Sequence, residues 1–230
     1  MNNKDLKDII NDSLGIQKEN KEILGEAYVS IPKMYQLNTD LLTQKAKAVH
    51  MELYEETVKT LNRVNLEVET ADKSVANNNH SKYRSLKIDE ISNLNSVYLH
   101  ELYFANIADT HSEITMDSIA FIRLENSYGT FDRWQNDFIA CCKCGRDGWA
   151  VCGYSIFLRR YMNIFIDGDD TNIPIGFIPV IVIDTHEHAF FKDYLNSKKD
   201  YINNMLLELK WEIIESRIEK CDMLNNILSK

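Results

Sequence analysis

Glycine and proline are scarce in this chain, eight and three among 230 residues. So few chain-breaking residues leave little material for flexible linkers, and one domain or two closely packed ones, around a sizeable core, are expected. Basic residues are also in deficit, 26 Lys and Arg against 35 Asp and Glu, for a formal charge of −9. Without a basic stripe the chain lacks the electrostatic footprint of a nucleic-acid binder or of a protein held on an anionic membrane. The same acidity repels anions at long range, so any anionic substrate needs local guidance. No apolar run approaches membrane length, and residues 1–8 are polar, with no signal-peptide core. Five cysteines is an odd number, and three of them sit in Cys141-Cys142-Lys143-Cys144. This is a poor disulfide framework, and a reducing cytoplasm is the expected compartment. A structural zinc at the C-x-x-C would need two further ligands, with only Cys152 close in sequence. A thioredoxin-like motif opens a helix, whereas this one closes a predicted helix. Small buried thiols filling a tight contact are the expectation.

What is present centres on one stretch. Ile178-Pro179-Val180-Ile181-Val182-Ile183 reads as a short buried strand, and it ends in Asp184, with His188 four residues on. A carboxylate and an imidazole at a strand exit suit a divalent or trivalent metal that takes O and N ligands together. Two ligands do not hold a metal, so other parts of the chain must supply more.

Residues 1–26 read as a peripheral helix or a loosely held arm, within an N-terminal segment 1–38. A long helix is predicted over residues 39–62, capped by Thr39, with Leu42, Ala46, Val49, Leu53 and Leu61 at three- and four-residue spacing and His50 beside that stripe. After a polar break over 65–79 a second helix is predicted over 86–107, carrying Val97, His100, Phe104 and Ile107 on one side. The two form an antiparallel hairpin domain, residues 39–109, with one histidine from each helix at the interface. Residues 110–230 change character: helices over 114–124 and 131–142, strands over 148–158, 161–167 and 177–184, then helices over 187–196, 201–209 and 211–228. The predicted class is α+β, a long helical hairpin followed by an α/β domain with a small three-stranded antiparallel sheet. The candidate metal ligands are His50, His100, Asp184 and His188, an N₃O set that leaves a position open for solvent. They must converge on a point about 2 Å from each. His80 and His111 fall outside the pattern and are expected at the surface.

This joint pattern resembles the iron/manganese superoxide dismutase family over roughly residues 39–217. His50-Met51-Glu52-Leu53-Tyr54 resembles its first ligand helix, and Leu99-His100-Glu101-Leu102-Tyr103-Phe104 its second. Gly148-Trp149 is similar to the Gly-Trp that opens the family's sheet. Asp184-Thr185-His186-Glu187-His188-Ala189-Phe190 resembles the signature D-x-W-E-H-A-Y, and Tyr201, Trp211 and Arg217 fall where relatives carry the same residues. The resemblance implies one Fe or Mn ion per subunit, cycling between M³⁺ and M²⁺ to convert superoxide to O₂ and hydrogen peroxide. It also implies a homodimer in which Glu187 reaches across to His188 of the other subunit and fixes that imidazole.

The chain departs from the family around proton delivery. Thr57 stands where relatives commonly carry a channel tyrosine, Phe191 lacks the hydroxyl of the E-H-A-Y-Y string, and His186 replaces the usual tryptophan. The residue that hydrogen-bonds the metal's solvent is not evident; the loop Asp167-Gly168-Asp169-Asp170-Thr171-Asn172, where some relatives carry it, offers acids and amides. Two readings of His186 stand. Either it replaces the missing relay, with Tyr54 lining the channel, or it packs at the interface beside a site that turns over poorly. Lys198 lies where relatives often place an arginine that steers superoxide. Two other classes share the sequence features: a metal-binding or assembly protein of this fold, and another oxidase using the same open site.

Overall fold

The computed structural model describes residues 29–107 and 112–228. His111, the predicted arm at 1–26 and the predicted boundary near residue 109 lie outside these residues. Helix α1 (Gln44–Thr70) begins at Thr43, whose side chain accepts from the Ala46 N–H, a cap that stabilises a helix start by about 1 kcal/mol. Thr39 is not the cap; its hydroxyl oxygen accepts from Leu41 N–H in the turn before the helix. The predicted break after residue 62 is also overturned. Leu61, Val64 and Val68 continue one buried stripe at helical spacing, and Val64 and Val68 pack on Leu86 of the partner helix, so the helix runs on to Thr70. Its buried face is set one residue over from the predicted one. His50, Tyr54, Val58 and Leu61 face inward, while Val49 and Leu53 are half-buried.

Helix α2 (Lys82–Asn106) starts four residues earlier than expected because Ser81 caps it, accepting from Arg84 N–H. Leu99, His100, Tyr103 and Phe104 are all buried along it. Two shorter helices, α3 (Ile119–Tyr128) and α4 (Phe131–Cys144), follow, separated by Gly129 at φ 86°. Only glycine takes that angle without strain.

The sheet has strands β1 (Gly148–Ser155), β2 (Arg160–Asp167) and β3 (Phe177–Asp184) in the antiparallel order β2-β1-β3. The middle strand is buried along its whole length. Pairing of β1 with β3 shifts between Cys152 and Gly153, where Gly153 opposes Pro179. Proline has no N–H to give the ladder, so a bulge forms there. The last five residues of β3 are buried and lead straight to Asp184. Helices α5 (Glu187–Tyr194), α6 (Lys198–Leu207) and α7 (Trp211–Leu228) complete the chain.

Side-chain hydrogen bonds, from buried to exposed, tie the halves together. Asn106 Nδ2 donates to Val182 O, and Arg217 of α7 donates to Leu102 O, Val180 O and Asn106 Oδ1. Asp193 of α5 accepts from both the backbone N–H and the hydroxyl of Thr43. The end of β3, the start of α5 and the hairpin helices are thereby held at one place. Of the clustered cysteines expected to be buried, Cys142 is buried and Cys141 half-buried, but Cys144 is exposed because α4 ends there; Cys152 and Cys221 are buried as well. His80 is exposed, as expected.

Candidate metal centre

Four donor atoms meet where α1, α2, β3 and α5 converge. His50 and His100 project from the facing surfaces of α1 and α2, Asp184 ends β3, and His188 lies in the first turn of α5. The ligating atoms of these four residues lie within 4.8 Å of one another. Asp184 Oδ2 is 3.0 Å from His50 Nε2, 3.1 Å from His188 Nε2 and 3.9 Å from His100 Nε2. With metal–ligand bonds of about 2.1 Å, neighbouring ligands stand about 3 Å apart and opposed ones about 4.2 Å apart. The three measured distances fall within that interval.

Two further observations fit a metal. His50 Nε2 and His100 Nε2 are buried and find no hydrogen-bond partner among the described residues. An orphaned buried nitrogen is costly, and a cation that accepts its lone pair removes the cost. The tautomer is set for this at His100, whose Nδ1–H donates to Ser96 O at 2.7 Å, leaving Nε2 bare. Burial lowers the pKa of both imidazoles, that of His100 to about 3, so both are neutral at ordinary pH. Burial alone would raise the Asp184 carboxyl. The neighbouring imidazoles of His188 and His186, by charge and by hydrogen bond, outweigh it and hold that carboxyl well below its usual range. Neutral nitrogens and an ionised oxygen are the ligand states a metal requires.

The two oxygens of Asp184 divide their tasks. Oδ2 faces the three ligand histidines, while Oδ1 accepts from both the backbone N–H and Nδ1–H of His186, each at 2.8 Å. His186 is buried, stacks on His188 at 4.8 Å and meets Trp149 edge-on at 5.2 Å. Trp149 also stands edge-on to His100, and its Nε1–H donates to Asp169 Oδ1 at 2.9 Å. The acidic loop after β2 is thereby joined to the site through this indole. Phe104 and Tyr103 wall His50 at 4.9 and 5.4 Å. These rings fix the imidazole planes and exclude water.

Tyr54 is fully buried, with its ring 6.1 Å from His100. Its hydroxyl accepts from Lys33 N–H and donates to Glu101 Oε1, each at 3.0 Å, and burial pushes its pKa up to about 12. Thr57 donates to Leu53 O of its own helix, so its hydroxyl is occupied away from the ligands. Lys198 is half-buried and donates to Gly145 O at 2.7 Å, 5.9 Å from the Phe190 ring; burial lowers its pKa. Phe191 is half-exposed and Glu187 is exposed beside His188.

Sequence reasoning passed over the supports behind Asp184. Tyr201 donates to the Asp184 backbone carbonyl at 2.8 Å, and the Tyr103 and Tyr201 hydroxyls are 3.0 Å apart. Tyr103 follows His100 by three positions on one helix face, a spacing that could have marked it. The Ser96 carbonyl, one turn before His100, carries no residue-type signal at all.

A hairpin presenting two histidines, with D-x-x-x-H at the edge of a three-stranded sheet, gathers four side chains that could hold a metal ion. The family model for the C-terminal domain of iron/manganese superoxide dismutases matches residues 119–217. The iron superoxide dismutase of Aquifex aeolicus is 37% identical over 150 residues, 65% of this chain and 70% of that protein. That of Aquifex pyrophilus is 36% identical over the same shares. The manganese superoxide dismutase of Mycolicibacterium fortuitum is 27% identical over 155 residues, 67% of this chain and 74% of that one. The chain belongs to the iron/manganese superoxide dismutase family.

Proposed function

We propose that the protein is a superoxide dismutase that holds one iron or manganese ion through His50, His100, Asp184 and His188. The observation that carries the reading is the convergence of three imidazole nitrogens and one carboxylate oxygen at a buried point, two of the nitrogens without any other partner. Similarity to iron and manganese enzymes alike supports the class of metal without choosing between them. A bound ion of either kind supplies one-electron chemistry between its trivalent and divalent states, which disproportionation of superoxide to O₂ and hydrogen peroxide requires.

The protein's own part is to present donors, orient them and handle protons. Asp184 contributes a negative charge that favours the higher oxidation state, and His186 and Tyr201 hold its two ends. His186 keeps its Nδ1 proton on Asp184, so a relay through this residue runs from Nε2. Tyr54 lines the inner wall, its proton already committed to Glu101. Lys198, tied to Gly145 O, contributes a fixed positive charge for the incoming anion.

The pairing of subunits follows from His188. Ligation through Nε2 places this ring's proton on Nδ1, and the side chain is a quarter exposed, beside an exposed Glu187. Glu187 of a second copy is the acceptor we propose, in a homodimer.

The test is metal analysis of protein purified without chelators, followed by a dismutation assay. About one Fe or Mn per chain, with turnover, is the expected result. Metal-free protein, or bound metal with no dismutation, overturns the proposal in favour of an assembly protein or another oxidase respectively.

A further inference from the structure

A second site lies at the far end of the sheet from Asp184, on the side of the β1–β2 turn. A cleft of about 490 Å³ opens between α3, that turn and the end of α7, a size ordinary for a small-molecule site. Its walls carry three guanidinium groups, Arg123, Arg159 and Arg160, against one carboxylate, Asp222. Arg123 pairs with Asp222, with Nε at 2.9 Å and an Nη at 2.8 Å from Oδ2. Arg160 donates to Ser127 O at 2.9 Å and lies 5.7 Å from the Tyr128 ring, so its plane is held in place. Three guanidinium groups gathered in one cleft of a chain of net −9 are the reverse of the molecule's average.

Two independent features point to a ligand. Arg159 adopts φ 51°, left-handed backbone that a turn ordinarily gives to glycine or asparagine. A bulky residue kept in a strained conformation at a cleft is a signature of function. Tyr161 lines the same cleft and is 2% exposed, yet its hydroxyl has no nitrogen or oxygen partner among the described residues, the Cys221 thiol being the weak partner it has there. An adjoining cavity of about 640 Å³ shares Tyr154, Arg159 and Asn225 with the cleft and is otherwise lined by Ile156, Phe157, Ile175, Gly176 and Leu228. Phe157 and Ile175 are 89% and 99% exposed.

We propose that this paired cleft binds a small organic phosphate, its phosphoryl group among Arg123, Arg159 and Arg160 and its apolar or aromatic body against Phe157 and Ile175. Guanidinium groups match phosphate oxygens two at a time, and the local cations supply the guidance that an acidic surface denies to anions. The site is separate from the metal centre, and the proposal does not depend on the reading of that centre.

The experiment titrates the full chain with adenosine monophosphate and with monodecyl phosphate, following the heat of binding, in the original protein and in Arg159→Gly and Arg160→Gln variants. Glycine suits the turn at position 159, so Arg159→Gly keeps the fold, which an unchanged melting curve verifies. Saturable binding of at least one probe, displaced by inorganic phosphate and weakened about tenfold or more in each variant, is the expected result; which probe binds tells whether the body is a nucleoside or an alkyl chain. Absence of saturable binding of both, or binding that persists unchanged in the variants and so belongs to the metal centre, overturns the proposal. Neither variant touches the metal ligands, so metal content and any dismutation are expected to stay at their original level.

Discussion

At the scale of the residue, position 186 carries a histidine where the family resemblance leads to the expectation of tryptophan, and its imidazole is hydrogen-bonded to Asp184. His186→Trp is expected to keep the metal, since all four donors remain, and to lower turnover. Metal analysis beside a dismutation assay checks this, and unchanged turnover removes the relay role. Burial of His50 and His100 makes a second prediction. Both have pKa values below the ordinary 6.5, that of His100 at about 3. As pH falls below about 6.5 the unfolded chain takes up protons that the folded metal-free protein refuses. The part of the stability that rests on these two neutral imidazoles is therefore complete above 6.5 and is lost as pH falls, towards about 3 for His100, by up to about 1.4 kcal/mol per pH unit there. His186, its pKa raised because burial is outweighed by Asp184, contributes in the opposite direction. Melting temperatures of metal-free protein between pH 7 and 4 read this directly, and a flat profile contradicts it. The four donors were legible in the sequence because few residue types serve as ligands and their placement at strand exit and helix face was strict. The supports of Asp184 were less so, because a carbonyl such as that of Ser96 looks the same at every position.

At the scale of the element, the third strand was legible to the residue and the second to within one, whereas the first was carried three residues too far, to 158, because Ile156, Phe157 and Leu158 continue the apolar run into the turn. The first helix was less legible. Its inward face is led by His50 and Tyr54, which a search for aliphatic periodicity reads as polar, so the expected face fell one residue away. Its C-terminal turns were lost to the asparagines and glutamates near residue 65, although Val64 and Val68 continue the stripe. Close approach of strands gives a prediction here. A Cβ on Gly148 would stand 1.9 Å from Ile166 O. Gly148→Ala must push β2 away from β1 at the point where β1 also meets Thr185, and a loss of about 3 kcal/mol is expected in urea unfolding. Arg217→Met is expected to cost a similar amount, about 3 kcal/mol, because it leaves the partly buried carbonyls of Leu102 and Val180 and the buried Asn106 amide oxygen without this donor. A change under about 1 kcal/mol in either variant would show that the contact is dispensable.

At the scale of the whole molecule, no helix among the described residues is long and apolar enough to cross a membrane. The proposed homodimer would bury the exposed Glu187 and the open side of His188. Sedimentation of the metal-loaded protein is expected to give a dimer, and Glu187→Ala to shift it towards monomer at micromolar concentration; an unaltered distribution would place the interface elsewhere.

The four donors belong to segments far apart along the polypeptide: two hairpin helices, a strand end and the helix behind it. An ion gripped by all of them would act as a molecular rivet, one that a chelator can draw out. Each tenfold tightening of the grip beyond the free ion concentration would add about 1.4 kcal/mol to the work of unfolding. Heat tolerance measured on different preparations would then report how fully each had been loaded, before it reported anything about the polypeptide itself.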